Sequence, residues 1–215
     1  MAIKVHGLAV AACTVRVLLC LHEKGLEYEL VPVDVFNGAH KKQPYLSLNP
    51  FGQIPALEDE DIKLFESRAI CNYLANKYKD KGADLLRSSS LKESAIAEIW
   101  MEVEAHQLNG PLRALIHQFV LNPLRGKVPD EKIVEGELEK LEKVLDVYEE
   151  RLSKSKYLGG DFYTMADLNN LPYLLYFMKT PKASYVTSRP HVNAWWNDIS
   201  SRPATIKVSE GMTMI

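Results

Sequence analysis

The stretch that decides the fold is NPFGQIPAL, residues 49–57, in which a turn sequence leads into a short apolar strand. Pro55 stands at the start of that strand, where a residue without an amide hydrogen cannot complete the sheet ladder. An X–Pro bond takes the cis form at modest cost, so a cis peptide before Pro55 and an ordinary trans turn are both open. A cis turn would leave the backbone of Ile54 free to pair with a peptide-like ligand as an added strand.

A second informative stretch, LFESRAI at residues 64–70, follows closely. Ser67 stands where a helix is expected to begin, so its amide and hydroxyl can hold a carboxylate at the positive end of the helix dipole. Glu66 beside it can accept an amino group, and the end group of an α-amino acid carries both charges on one carbon. A plain N-cap next to a solvated glutamate gives the same pattern, so this fragment alone leaves both interpretations open.

Short strand and helix patterns alternate on both sides of these two stretches, up to residue 80. Strand patterns fall at residues 3–6, 28–33, 56–58 and 62–65, and helix patterns at residues 12–24, 41–46 and 67–78. The resulting order, βαβαββα, predicts a small mixed α/β domain with helices on the faces of one sheet.

The chain changes character after residue 80. Residues 81–90 are polar, with Gly82 and a run of three serines, and indicate a linker between domains. Helical patterns follow at residues 91–120, with a bend expected near Gly110 and Pro111, and at residues 130–154, 164–179 and 191–201. The predicted domains are therefore residues 1–80 and an all-helical domain over residues 91–215. Within the latter, Thr164 and Asp167 match a capping box, which is a stability element.

The composition is that of an ordinary globular protein. The chain has 215 residues, 47% of them hydrophobic, and a net charge of −2, so no basic field is expected to bind nucleic acid. Nothing resembles a signal peptide or an apolar run long enough to cross a membrane. Cys13, Cys20 and Cys71 show neither metal-ligand spacing nor a paired framework, which favours a reducing cytosol and no metal.

Taken together, the motifs closely resemble those of glutathione transferases, specifically the phi class of plants. The resemblance includes HKK at residues 40–42 and GDFYTMADL at residues 160–168, and it runs along the whole chain. It implies a thioredoxin-like N-terminal domain, an all-α C-terminal bundle, glutathione as co-substrate and a homodimer. It further implies conjugation of glutathione to small hydrophobic electrophiles, or reduction of peroxides.

The resemblance also implies a set of glutathione contacts and an acceptor pocket. The glutathione contacts are Glu66 and Ser67 for the γ-glutamyl end, Gln53 and the Ile54 backbone for the cysteinyl-glycine part, and His40 and Lys41 for the glycine carboxylate. The hydrophobic pocket, which the family builds between its domains, would be lined by Ala12, Phe36, Leu115 and Phe119. Apolar residues at helical spacing are equally consistent with a plain core.

One expected residue is missing. Phi enzymes resemble one another in placing a serine hydroxyl at the start of the first helix, and an ungapped alignment puts Ala11 there. Three groups can replace it: the backbone amides of Ala12 or Cys13, the hydroxyl of Thr14, and the thiol of Cys13. A threonine in a helix more often bonds back to a preceding carbonyl, and Cys13 lies two residues from the serine position, where a packing cysteine is the alternative.

These replacements lead to two functional hypotheses. The first is an enzyme that binds glutathione well and conjugates it weakly. The second is a non-catalytic carrier, or ligandin, for flavonoid-like aromatic metabolites. Ala11-Ala12-Cys13 resembles a branch of phi-like proteins associated with flavonoid transport, and the small side chains of Ala11 and Ala12 would leave room for a flat guest.

Overall fold

The computed structural model describes residues 2–212, which form two compact units. Unit 1 contains residues 2–84 and residues 206–212, and unit 2 contains residues 85–205. The C-terminal end of the chain therefore differs from the predicted division, which placed everything after residue 90 in one helical domain.

The sheet of unit 1 has four strands in the order β2-β1-β3-β4. These are β1 (Ile3–Gly7), β2 (Tyr28–Pro32), β3 (Ala56–Asp59) and β4 (Ile62–Phe65). β1 pairs parallel with β2 and antiparallel with β3, and β3 pairs antiparallel with β4. Val5 lies opposite both Leu30 and Leu57, and Val5 and Leu57 are fully buried, so the sheet centre is part of the core. The predicted mixed sheet is confirmed.

Two helices, α1 (Ala12–Glu23) and α2 (Ser67–Lys77), pack against each other in unit 1. The prediction of a third helix at residues 41–46 is wrong. Two 3-10 turns, Ala39–Lys41 and Tyr45–Ser47, take its place. Pro44 between them has no amide donor and Lys42 is extended, so hydrogen bonding cannot continue from one turn to the next.

Between residues 91 and 212 the regular structure is helical. The helices are α3 (Leu91–Val103), α4 (Asn109–Ile116), α5 (Asn122–Leu124), α6 (Glu131–Leu152), α7 (Met165–Leu168), α8 (Leu171–Phe177), α9 (Ser184–Thr187), α10 (Pro190–Ser200) and α11 (Pro203–Glu210). The pattern predicted as one helix over residues 164–179 is two helices, α7 and α8. The sequence patterns missed α9, whose four residues are too few for periodicity, and α11.

The long helix predicted over residues 91–120 is interrupted twice, and the first interruption ends at Leu108, two residues before the predicted bend at Gly110. Two π-helical turns, Glu104–Leu108 and His117–Leu121, flank α4. Pro111 instead lies in the first turn of α4, where a missing amide hydrogen is tolerated. Residues 2–212 contain no helix both long and apolar enough to span a membrane.

The predicted capping box at α7 is confirmed. Thr164 Oγ1 accepts a hydrogen bond from the Ala166 amide, and Asp167 accepts one from the Thr164 amide at 2.9 Å. Asp167 is fully buried and also accepts hydrogen bonds from the amide of Leu158 and the indole of Trp195. The Thr164 hydroxyl donates to the same carboxylate at 3.1 Å. Burial raises the pKa of the Asp167 carboxyl, although these four hydrogen bonds favour its ionised form.

Candidate functional site

The N-terminus of α1 has no side-chain cap. Ala11 is the N-cap residue, its backbone is extended, and its methyl group cannot accept or donate a hydrogen bond. The first turn of α1 contains no acidic residue. The amides of Ala12 and Cys13 have no intrahelical partners by helix geometry, so this helix start is a positive end available to an anion.

The two side-chain candidates near that helix start differ in exposure. Thr14 is fully buried, and its hydroxyl has no hydrogen-bond partner within residues 2–212. A Cβ placed on Gly7 would lie 2.5 Å from the Thr14 hydroxyl oxygen, so this hydroxyl packs over β1. Cys13 is half-buried with a free thiol. Thr14 is therefore enclosed by the protein, whereas the Cys13 side chain is partly accessible.

The loop at residues 49–55 is held by its own side chains. Asn49 Nδ2 and Tyr45 Oη each donate a hydrogen bond to the Gln53 carbonyl at 2.8 Å. Burial raises the pKa of Tyr45 to about 12, so its hydroxyl keeps its proton. The Ile54–Pro55 peptide is cis, as one of the two sequence hypotheses had it. Within residues 2–212, neither backbone polar group of Ile54 has a hydrogen-bond partner.

A glycine allows the turn at Ala39–Lys41 to approach this loop. Gly52 has a φ of +57°, and a Cβ placed on it would lie 2.6 Å from the His40 carbonyl oxygen. Nδ1 of His40 is buried without a hydrogen-bond partner among the described residues. The Lys41 ammonium donates to the Phe51 carbonyl at 3.0 Å and retains two further N–H donors. Two basic side chains thus lie beside the loop.

The N-terminus of α2 combines an unusual backbone conformation with a buried polar contact. Glu66, the N-cap, has a φ of +67° and a ψ of 105°, a conformation that non-glycine residues rarely adopt. Ser67 is buried as the first residue of α2, and the guanidinium of Arg16, fully buried on α1, donates to its Oγ at 2.8 Å. Because Arg16 supplies the donor, the hydroxyl hydrogen of Ser67 remains available to an anionic acceptor.

Arg16 is the residue of this site that the motifs missed. Its signal in the sequence is a charged residue inside the apolar run VRVLL at residues 15–19. A fully buried arginine needs hydrogen-bonding partners. A buried arginine on α1, the helix that follows the first strand, is therefore a candidate for hydrogen bonding to a residue of the site.

Comparison with known proteins supplies the family. Residues 1–76 match the family model "Glutathione S-transferase, N-terminal domain" and residues 112–203 match "Glutathione S-transferase, C-terminal domain". Glutathione S-transferase F13 of Arabidopsis thaliana is 56% identical over 214 residues, covering 100% of this chain and 98% of its own. The chain belongs to the glutathione S-transferase family.

Solved structures agree. Glutathione transferase F7 from Populus trichocarpa is 57% identical, with a TM-score of 0.97 over 99% of this chain and 100% of its own. Maize glutathione S-transferase I, solved in complex with an atrazine glutathione conjugate, is 43% identical, with a TM-score of 0.94 over 100% and 99% of the two chains. The F-type plant relatives place the transferase in the phi class, and its co-substrate is glutathione.

The four residues predicted to line the transferase's hydrophobic pocket differ in exposure. Phe36 is 80% exposed and Ala12 half-buried in unit 1, while Leu115 is fully buried and Phe119 half-buried in unit 2. Their role in a pocket stays a prediction. Across residues 2–212 no group of three or more histidine, cysteine or acidic side chains is arranged to hold a metal ion.

Proposed function

We propose that this transferase binds glutathione in unit 1 and joins its sulfur to small hydrophobic electrophiles, or reduces peroxides, with weakened activation of the thiol. The observation that carries the proposal is the contrast at two helix starts. Ala11 presents only a methyl group at the N-terminus of α1, whereas Ser67 at the N-terminus of α2 is held by a buried guanidinium.

The γ-glutamyl end of glutathione would bind at the start of α2. The Ser67 amide and hydroxyl would donate to its carboxylate, and the dipole of α2 and the Arg16 guanidinium would add positive potential there. The Glu66 carboxylate would accept the ammonium group. The unusual backbone of Glu66 supports this role, because such conformations cluster where a ligand is clamped.

The rest of the tripeptide would bind along the loop that contains the cis proline. The unpaired backbone groups of Ile54 would form strand-like hydrogen bonds with the cysteinyl residue, and the exposed Gln53 side chain would contact the cysteinyl-glycine part. His40 and Lys41 would hold the glycine carboxylate. The buried, unpartnered Nδ1 of His40 supports its share in this role.

Weakened activation follows from the magnitude of one hydrogen bond. A free cysteine thiol has a pKa of about 8.5 and is mostly protonated at neutral pH, so transfer needs a group that stabilises the thiolate. A hydrogen bond to a charged group contributes roughly 1.5–3 kcal/mol, which corresponds to about tenfold to a hundredfold in rate. The amides of Ala12 and Cys13 and the α1 dipole would supply the remaining stabilisation.

The test is steady-state conjugation of glutathione to a chlorodinitrobenzene-type electrophile by the native protein and by Ala11→Ser. The proposal expects Ala11→Ser to raise kcat about tenfold to a hundredfold with little change in the KM for glutathione. Ala12→Ser is the matched control, since it adds the same hydroxyl one residue away. A native protein that is already fast, and that gains nothing from the serine, would contradict weakened activation.

Two finer features belong to the same proposal. We expect a homodimer located in the cytosol. The large exposure of Phe51, at 68%, and an open groove of about 620 Å³ beside Ile99 and Val103 on α3 support a partner surface. Light scattering on the purified protein tests the dimer, and a fluorescent fusion tests the location.

The relatives are named as transferases, so the carrier hypothesis is not favoured.

A further inference from the structure

A second polar cluster lies in unit 1, outside the proposed glutathione contacts. Its centre is Asp59, the last residue of β3, whose side chain is almost completely buried. The carboxylate accepts hydrogen bonds at 3.0 Å from Tyr73 Oη, Lys77 Nζ and Tyr78 Oη. Lys77 also pairs with Glu60, a turn residue with a φ of +58°. These five residues are called the Asp59 cluster below.

The Asp59 cluster connects the C-terminal end of α2 to the hairpin formed by β3 and β4. In the chain, Glu66 is the single residue between β4 and α2. The cluster connects the other ends of these two elements, because Asp59 pairs with Ile62 at the start of β4 and Lys77 is the last residue of α2. With a rise of 1.5 Å per residue, the length of α2 places the cluster roughly 15 Å from Ser67. At that distance the cluster makes no direct contact with Ser67, so any effect on the start of α2 would be transmitted through the helix.

Apolar packing alone leaves part of the position of α2 undefined. Ile70 and Leu74 are fully buried, but hydrophobic contacts are non-directional and allow a helix to slide or rotate slightly. Three hydrogen bonds to one carboxylate are directional, so they fix the rotation and axial position of α2. A fixed α2 in turn maintains the rare backbone of Glu66, since such conformations persist only where the surrounding structure over-determines them.

We propose that Asp59 is a positioning residue for glutathione binding, acting through α2 on Glu66 and Ser67. This inference rests on the proposed function, which places the γ-glutamyl end at those two residues. A positioning role predicts more than a purely structural one. Loss of the cluster would weaken glutathione binding beyond any general loss of stability.

The experiment measures glutathione affinity by calorimetry, together with kcat and the KM for glutathione, in Asp59→Asn, Lys77→Met and Tyr73→Phe. We expect the Kd and KM for glutathione to rise about three- to tenfold in Asp59→Asn and Lys77→Met, and less in Tyr73→Phe. We expect kcat at saturating glutathione to stay within about twofold. If Asp59→Asn does not fold, the other two variants provide the test.

The matched control is Glu149→Gln in unit 2. Glu149 also accepts several hydrogen bonds at the end of a helix, so its loss lowers stability at a site that the proposal does not involve. Its Kd for glutathione is expected to stay at the native value. The inference is overturned if the folded cluster variants, at the same loss in Tm as Glu149→Gln, bind glutathione as the native protein does. Failure of the native protein to bind glutathione would overturn the proposed function and this inference with it.

Discussion

The N-termini of α1 and α2 are both in unit 1, and they are built in opposite ways. α2 begins with Glu66 in a rare backbone conformation and with Ser67 held by the buried Arg16. α1 begins after Ala11, which has no polar side chain. Under the proposed function the start of α2 would bind one end of the tripeptide and the start of α1 would face its sulfur. On that proposal, binding and activation would reside in separate helix starts, so that one could weaken while the other stays intact.

Two helix starts in unit 2 show what purely structural capping looks like. α7 begins with the capping box of Thr164 and Asp167, and the N-terminus of α10 is filled by the carboxylate of Glu149. In both, the amides at the helix start are hydrogen-bonded within the protein. Ala11 provides no side-chain cap at the N-terminus of α1. Uncapped amides at this helix start are what a ligand would need there.

The largest expected effect is on stability at α7. Asp167→Ala removes a buried acceptor and leaves the Leu158 amide, the Thr164 amide and the Trp195 indole without their partner. The loss is expected to be about 3 kcal/mol or more in the free energy of unfolding, measured by urea denaturation. The KM for glutathione of the folded fraction should not change. A loss below about 1 kcal/mol would contradict the role given to this carboxylate.

The next effect sharpens the comparison at α2. Ser67→Ala removes a donor to the γ-glutamyl carboxylate and leaves the Arg16 guanidinium without its hydroxyl acceptor. The Kd for glutathione is expected to rise about tenfold to a hundredfold, measured by calorimetry. Ser90→Ala is a matched control, because Ser90 caps α3 in unit 2. Equal affinity in Ser67→Ala and the native protein would remove α2 from the binding site.

A smaller effect appears at α10 as a pH dependence. Burial alone would raise the pKa of Glu149, but hydrogen bonds from the amides of Val192 and His191 outweigh it and lower the pKa. Between the lowered pKa and the ordinary value of about 4.3 the unfolded chain binds more protons at this group, so its contribution to stability is lost as the pH falls.

Thermal unfolding of the native protein and Glu149→Gln checks this sign. The native protein should have the higher Tm above about pH 5, and the difference should shrink as the pH falls through about 4. A difference that grows toward low pH would contradict the assignment.

The smallest effect concerns Thr14. Its hydroxyl is buried without a partner and packs over Gly7, so Thr14→Val should leave kcat within about twofold and should not lower the Tm. A tenfold fall in kcat would instead identify Thr14 as the group that activates sulfur.

Local chemistry made part of this architecture predictable. Strand and helix periodicity predicted the sheet, α1, α2 and α6, and spacing alone predicted the capping box at Thr164. The segment at residues 41–46 was misread, because its pattern hides two 3-10 turns separated by Pro44. The π-helical turns around α4 were not predicted, because each is a change in hydrogen-bond pairing over only five residues inside one long helical pattern.

The glutathione contacts were predicted by resemblance, and they stay predictions. What the sequence did not reveal is how they are held: Arg16 behind Ser67, Tyr45 and Asn49 behind Gln53, and the Asp59 cluster behind α2. Tyr45 and Asn49 lie near Gln53 in the chain, whereas Arg16 is 51 residues from Ser67 and meets it only in the folded protein. No local pattern encodes that contact.

The most direct test of the central claim is a titration of the glutathione thiol while it is bound. The ultraviolet absorbance of the thiolate, followed against pH, gives the apparent pKa of bound glutathione in the native protein and in Ala11→Ser. We predict that in the native protein the α1 amides and dipole lower the pKa of the bound thiol only in part from its value in water, about 8.5, and that the serine variant lowers it by about 1 to 2 further units at similar affinity. A native complex in which the pKa is already well below neutral, unchanged by Ala11→Ser, would contradict the claim that binding and activation have separated.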